Sequence, residues 1–515
     1  MLKAKRQLPK EEQLTTDHAN GQLFDNGLRT VFMTQTTILS RVEIETMGPP
    51  VPEELAETDV SESFLADLAL KLVAQLAEPS TANIAAAVHL PRALTEELLI
   101  RLTREKLIEV RGQAAVGATR YAMLERGWER LARAQQLCGY NGPAPVSLRD
   151  YAHMMRLQAV PAKPATIDSV RAAMRDLVLP DSLLQTVGCV VNSRRSLFLT
   201  GPPGTGKTAV AERINAGLAG RIWIPYSIEV DGQIIRVFDT HNHRPVAADD
   251  LPAEYDRRWV CIERPLVIVG GELTLENTDL VWSEAARFYE APFQMKSNGG
   301  TLVIDDFGRQ RCAPHDLLNR WIVPLERRVD YLTLHTGKKI EVPFEQLVVF
   351  STNLDEKDLV DEAFLRRMGY RARVEPPTSA AYVEIFRRAA FVRGLRAEQP
   401  VIDYLLNNYM LEHRQMKACE PRDLLDRVVD ICLFEGIPIE LTPKVIDGAW
   451  RNYFGTSHGF ATQEPERRQT SELRSQTGAL KQTGPLHLSA PTHTARNTAG
   501  LTDTNEQGDV DPLQL

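Results

Sequence analysis

The chain has 515 residues, 43% hydrophobic and 25% charged, with a formal net charge of −8. That length suggests two to four units of ordinary domain size, and the acidic balance argues against a protein that coats nucleic acid nonspecifically. Cys138, Cys189, Cys261, Cys312, Cys419 and Cys432 form no C-x-x-C pair and no Cys/His cluster, which fits reduced thiols in a cytoplasm. The basic start Met1-Leu2-Lys3-Ala4-Lys5-Arg6 has no apolar stretch behind it, so no secretory signal is read. No apolar run is long enough for membrane insertion.

Residues 1–58 are poorly periodic and end in Met47-Gly48-Pro49-Pro50-Val51-Pro52. They read as a flexible or loosely docked arm, with room for a short strand at Val42–Ile44. Order is expected from Asp59, an N-cap candidate with Glu62 three residues on. Phe64, Leu65, Leu68, Leu72, Val73 and Leu76 then recur at helical spacing. Pro79-Ser80-Thr81 breaks that helix, and a short one follows at Ala82–Val88. A third carries Leu94, Leu98, Leu99, Leu102 and Leu107 on one face. Ile108–Val110 and Thr119–Met123 read as wing strands with a turn through Arg111-Gly112, and Glu125 opens a closing helix. Over 59–140 this order looks like a winged helix-turn-helix. Its third helix sets Arg92, Arg101, Arg104 and Lys106 against Glu96, Glu97 and Glu105. Mixed charge makes a weak phosphate-binding face, so protein contact is favoured there over DNA contact.

Residues 141–165 read as a linker with one short helix. Ile167 to Asn192 is expected to be helical and to lead into the strand Leu197-Phe198-Leu199. Next comes Gly201-Pro202-Pro203-Gly204-Thr205-Gly206-Lys207-Thr208, followed by a helical pattern. Strand, glycine loop and helix are the context in which G-x-x-x-x-G-K-[ST] becomes a phosphate site. Glycines let backbone N–H groups converge on phosphate oxygens, and the helix start adds its positive dipole end. Lys207 reaches the β- and γ-phosphates, and the Thr208 hydroxyl is a Mg²⁺ ligand.

Ile222-Trp223-Ile224 reads as a second strand. A β-rich insertion follows at 229–271, with a hairpin signal at Asp231-Gly232. Inside it, Asp239-Thr240-His241-Asn242-His243 hints at a metal but lacks partners at zinc-site spacing. Thr301-Leu302-Val303-Ile304-Asp305-Asp306 is a buried strand ending in two carboxylates. Asp305 is assigned to the Mg²⁺ shell and Asp306 to activation of the attacking water; the bland alternative is a pair that caps the next turn. Helix Leu317–Arg327 and a hairpin over Val329–Phe344 precede the strand Leu347–Asn353. The Asn353 amide can meet the γ-phosphate or the water, or serve an ordinary turn. Arg366 and Arg367 end a helix, where one could complete a neighbouring subunit's site or sit in a surface ion pair. Tyr370–Val374 is read as the last strand. Short apolar strands alternating with helices imply an α/β fold with a parallel sheet over 166–375. Residues 376–455 hold only helical patterns; Arg422, near the start of one, can reach back to the phosphates or make a helix-start ion pair. Residues 456–515, rich in Ser, Thr, Gln, Gly and Pro, read as disordered.

The order of these motifs over about 166–454 resembles the AAA+ ATPases. On that resemblance Gly201–Thr208 is Walker A, Leu302–Asp306 Walker B, Asn353 sensor 1, Arg366 or Arg367 the arginine finger, and Arg422 sensor 2 on an α-helical lid. The Val329–Phe344 hairpin looks like the insertion shared by MoxR-like ATPases, magnesium chelatases and enhancer-binding activators. Family members usually carry Asp-Glu where this chain has Asp305-Asp306, so the second carboxylate is one methylene short. The resemblance implies ATP and Mg²⁺ as cofactors and a ring of like subunits. Three readings stand: an oligomeric cytoplasmic ATPase that remodels or loads a protein client, an ATP-gated DNA-binding regulator using 59–140, and a nucleotide-binding scaffold with little turnover.

Overall fold

The computed structural model describes residues 47–113, 119–159, 164–218, 220–354 and 366–455. In chain order it opens with a 3₁₀ turn (Leu55–Thr58), helices α1 (Glu62–Gln75), α2 (Thr81–Val88) and α3 (Arg92–Arg104), a hairpin of β1 (Ile108–Gln113) and β2 (Thr119–Met123), and α4 (Glu125–Leu137). Next are β3 (Val146–Ser147), α5 (Leu148–Gln158), α6 (Ile167–Ala173), α7 (Asp181–Ser193), β4 (Leu197–Thr200) and α8 (Lys207–Gly217). Strands β5 (Arg221–Pro225), β6 (Ser227–Val230), β7 (Gln233–Arg236), β8 (Trp259–Glu263), β9 (Leu266–Val269), β10 (Val281–Ser283), β11 (Phe288–Glu290) and β12 (Thr301–Ile304) follow. The rest comprises α9 (Pro314–Arg327), β13 (Val329–Thr333), β14 (Lys339–Pro343), β15 (Leu347–Thr352), β16 (Tyr370–Arg373), and four helices: α10 (Ser379–Val392), α11 (Gln399–Leu411), α12 (Glu420–Glu435) and α13 (Pro443–Phe454).

The central sheet is parallel, in the order β16-β4-β15-β12-β9. Strands β4, β12 and β15 are buried along their whole length, as near-continuous apolar runs covered on both faces should be. Val187, Val191, Val210 and Ile214 of α7 and α8 cover one face. Phe307 and, from α9, Leu317 and Trp321 cover the other, around Phe198 and Phe350. This is the α/β P-loop arrangement, with a helical region after it. Strand β4 lies between β15 and β16, although the chain leaves β4 for the far edge of the sheet. Such a switch point opens a crevice at the carboxyl ends of the strands.

One expected strand lies outside the central sheet, and a strand not singled out in the sequence takes its place. Ile222-Trp223-Ile224 lies in β5, which pairs antiparallel with β8 outside the central sheet. The strand beside β12 is β9, which falls inside the expected 229–271 insertion. The insertion therefore ends before Leu266. The β-rich region has its own five-stranded sheet, β10-β11-β7-β6-β3, and the Asp231-Gly232 turn joins β6 to β7 with both residues at positive φ. That sheet recruits Val146 and Ser147 from the expected linker. Val146, Tyr151, Met154 and Met155 are buried with Trp223, Ile228 and Ile235, and with Leu332, Ile340 and Val342 of the β13–β14 hairpin. Residues 141–159 are thus part of a core, because their apolar side chains have a sheet to cover. At the hairpin tip, Lys338 pairs with Asp231, the His335 amide donates to the Tyr289 hydroxyl at 2.7 Å, and Trp282 stacks on His335.

The expected arm is also partly folded. Leu55 is buried with α1–α4, and the Pro49 carbonyl accepts from the Asp256 amide at 2.9 Å. Asp59 does not cap α1. It sits in the left-handed region after the 3₁₀ turn, and Ser61 holds the N-cap position. The helix α2 has a reciprocal cap between Ser80 and Asn83, which fits the break expected there. Residues 59–140 are joined to the β-rich body by shared core: Cys138, Tyr140 and Ala144 pack with Ile234. Lys71 donates to the Cys138 carbonyl at 2.6 Å and the Tyr140 carbonyl at 3.2 Å. A buried Arg258–Asp256 pair at 2.8 Å also reaches the Thr58 and Pro145 carbonyls. The Val42–Ile44 strand and the 456–515 tail lie outside the described residues.

Candidate nucleotide site

The glycine loop leaves the carboxyl end of β4 and must turn without side chains. Gly201 has φ 144°, and a Cβ there would lie 2.3 Å from the Val374 carbonyl oxygen. Gly204, at φ 80°, faces the helical region; its Cβ would be 2.7 Å from Cys419 Sγ. Gly206, at φ 95°, is the N-cap of α8, whose first N–H groups are aimed into the loop's concavity. Thr205 Oγ1 donates to the Pro202 carbonyl at 3.0 Å and braces the Pro202-Pro203 corner.

Lys207 is only 8% exposed. Its Nζ donates to the Gly201 and Pro202 carbonyls at 2.9 and 3.0 Å. Burial pulls its pKa below the ordinary lysine value, and Asp305 and Asp306 oppose that pull. Thr208 Oγ1 donates to Asp305 Oδ2 at 2.8 Å, and Asp305 Oδ1 accepts from the Asp306 amide at 3.0 Å. A hydroxyl and a carboxylate are the hard oxygen donors Mg²⁺ prefers. The two are held side by side by their own hydrogen bond, so both would be at hand for the ion if it were bound. Asp306 stands at φ 47°, in the left-handed region, and its side chain is exposed.

A cavity of about 530 Å³ gathers Pro203 to Thr208, Asp305, Asp306, Asn353, Cys419 and Arg422. Five of the sequence-derived residues outside the loop or at its end thereby share one space. Asn353 Oδ1 accepts from Arg309 Nη2 at 3.4 Å. Arg422 Nε lies 3.2 Å from Asp423 Oδ1, so the helix-start pair and the cavity wall are one arrangement. A second cavity of about 570 Å³ shares Val178, Leu179, Thr205, Ile385 and Ala418 with the first. Arg366 and Arg367 line neither cavity; Arg367 pairs with Glu326 near the end of α9.

The Asp239–His243 segment is a structural turn. His243 Nδ1 accepts from the Asp239 amide at 3.0 Å, so Nε2 carries the proton toward the Lys296 carbonyl at 2.7 Å. Asp239 pairs with Lys296 at 2.7 Å. Among the described residues no group of three His, Cys, Asp or Glu is placed to hold a metal.

Sequence reasoning passed over Gln310, Arg309, Val178-Leu179 and Cys419. Val178 and Leu179 end in Pro180, an apolar pair just before a helix start, which was a usable signal. The Cys419 amide donates to the Gly204 carbonyl at 3.1 Å, a contact only the fold creates.

Residues 378–452 match a family model described as a domain of unknown function (DUF8689). No curated protein matches the chain. Among solved structures, NtrX from Brucella abortus in complex with ADP is similar at TM-score 0.35 and 14% identity, over 57% of this chain and 57% of that one. The Thermotoga maritima RuvB Holliday junction branch migration motor is similar at TM-score 0.31 and 15% identity, over 53% of this chain and 67% of that one. The chain thus spans little more than half the length of NtrX. Likeness at that level bears on neither activity nor partner. Among the described residues no helix is long and apolar enough to cross a membrane.

Proposed function

We propose that the chain binds and hydrolyses ATP with Mg²⁺, and that it works in the cytoplasm as an oligomeric AAA+ remodelling or loading ATPase on a protein client. The observation that carries the ATP reading is the Thr208–Asp305 contact at the mouth of the glycine loop, with the start of α8 behind it. In this reading the loop amides and Lys207 hold the phosphates, and the apolar walls Val178, Leu179 and Ile385 take the base. Thr208 and Asp305 hold Mg²⁺, which supplies charge neutralisation on phosphate oxygens. Asp306 takes a proton from the attacking water, and Asn353 orients that water or a γ-phosphate oxygen. Arg422 meets the phosphates from the helical side. Arg366 or Arg367, which line neither cavity, serve a neighbouring subunit.

Charge pairing argues against the DNA-binding alternative. Arg101 pairs with Glu62 and Glu105, Arg130 with Asp67 and Glu105, and Arg111 with Glu109, so part of the positive charge of 59–140 is already matched within the chain, which weakens the face offered to a duplex. Large apolar side chains favour a protein surface instead. Phe391 is 83% and Phe434 93% exposed, beside exposed Val392 and Leu433 at the last turns of α10 and α12. Isothermal titration tests the site. The full chain should bind ATP with Mg²⁺, and Lys207→Ala should abolish tight binding while keeping its helical circular dichroism. Unchanged affinity in the folded variant would sink the assignment.

A further inference from the structure

We propose that Gln310 is a positioning residue: its side-chain amide clamps the turn that carries Asp306, and so aims the Asp306 carboxylate at the attacking water. The proposal rests on the ATP-hydrolysis reading of this site.

The turn after β12 is anchored at both ends by the sheet. Upstream, the Asp305 amide donates to the Val269 carbonyl of β9 at 2.8 Å. Downstream, the buried Phe307 donates its amide to the Ser351 carbonyl at 2.7 Å and accepts from Thr352 Oγ1 at 2.7 Å. Between these anchors lies Asp306 in the left-handed region, a conformation that persists for a non-glycine residue only where its surroundings over-determine it.

Gln310 supplies much of that determination. Its Oε1 accepts from the Gly308 amide at 2.8 Å. Its Nε2 faces the Asp305 carbonyl at 3.0 Å, the Asp306 carbonyl at 3.3 Å and the Gly270 carbonyl at 3.5 Å. Its two N–H groups thus serve the two nearer carbonyls, those of the peptides flanking the strained residue, with the Gly270 carbonyl at the end of β9 the outermost of the three. Only an uncharged group with both donor and acceptor can do this. Gln310 does not line the nucleotide cavity, so any effect on turnover must pass through the turn.

The test is steady-state ATPase kinetics on the full-length assembled protein, for Gln310→Ala, Gln310→Glu, Asp306→Asn and the double variant Gln310→Ala/Asp306→Asn. Gln310→Glu keeps the length and the acceptor but loses the donor, which guards against a mere packing defect. Both Gln310 variants should lose about tenfold or more in kcat, with KM and titrated ATP affinity within about twofold of wild type. The double variant should be no slower than Asp306→Asn alone, since residues acting as one unit are non-additive. Wild-type kcat in either Gln310 variant, or losses that multiply in the double variant, would overturn the proposal. Failure of the parent reading looks different: wild-type protein that binds ATP yet releases no phosphate removes the hydrolysis reading, and this proposal with it.

Discussion

Replacing Asp306 by glycine separates two things that residue does, holding a strained backbone and presenting a carboxylate. At φ 47° an L-residue bears a cost of roughly 1–2 kcal/mol, with aspartate toward the low end. Glycine removes that cost but makes the unfolded chain freer, which destabilises by about 0.4–1 kcal/mol. The two nearly cancel, so Asp306→Gly should melt within about 2–4 °C of wild type, the shift that ~1 kcal/mol gives in a domain of 150–250 residues. Turnover should behave very differently. Loss of a positioned general base slows a reaction by about 10²–10⁴-fold, equivalent to roughly 3–5 kcal/mol in the barrier. Asp306→Glu, which lengthens the acid to the form usual in AAA+ proteins, should not raise turnover, because glutamate fits the left-handed turn less well than aspartate. The assays are phosphate release under saturating ATP and thermal melting with and without nucleotide. A glycine variant that melts many degrees lower while still hydrolysing ATP would refute both halves of the reasoning, and a faster Asp306→Glu enzyme would refute the backbone argument.

Mixing tests the trans arginine: Lys207→Ala subunits and Arg366→Ala/Arg367→Ala subunits should each be inactive alone and regain part of the activity together, and no recovery in mixtures shown to co-assemble counts against it. Acid should weaken the fold through His243, whose pKa is lowered by burial. Because the unfolded imidazole takes its proton at a higher pH than the folded one, stability rises with pH across that window. It should be complete above an unfolded value of about 6.5 and decline as pH falls toward the folded pKa; a His243→Gln variant with the wild-type slope between pH 7 and 5 in denaturant titrations would remove His243 from the account.

What the sequence alone determined is the chemistry that local rules govern. Eight consecutive residues specify the glycine loop and the helix start behind it, because φ-positive glycines and the helix N-terminus act within one turn. Asp305, Asp306, Asn353 and Arg422 were legible as polar residues at strand or helix ends, and the fold supplied the one cavity they share. The helical patterns of the first and last regions were equally local. Strand partnership was not. Ile222-Trp223-Ile224 and Leu266-Val267-Ile268-Val269 are both short apolar runs, and nothing within either says which will pair with Thr301–Ile304. Residues 141–159 read as a linker because proline and glycine mark turns, yet Tyr151, Met154 and Met155 become core once a sheet lies against them. The Gln310 clamp belongs to the same class: a glutamine amide satisfies whatever backbone groups surround it, and those groups converge only when β9, β12 and β15 have assembled. Burial and register are non-local free energies, decided by the partner surface rather than by the residues that are buried.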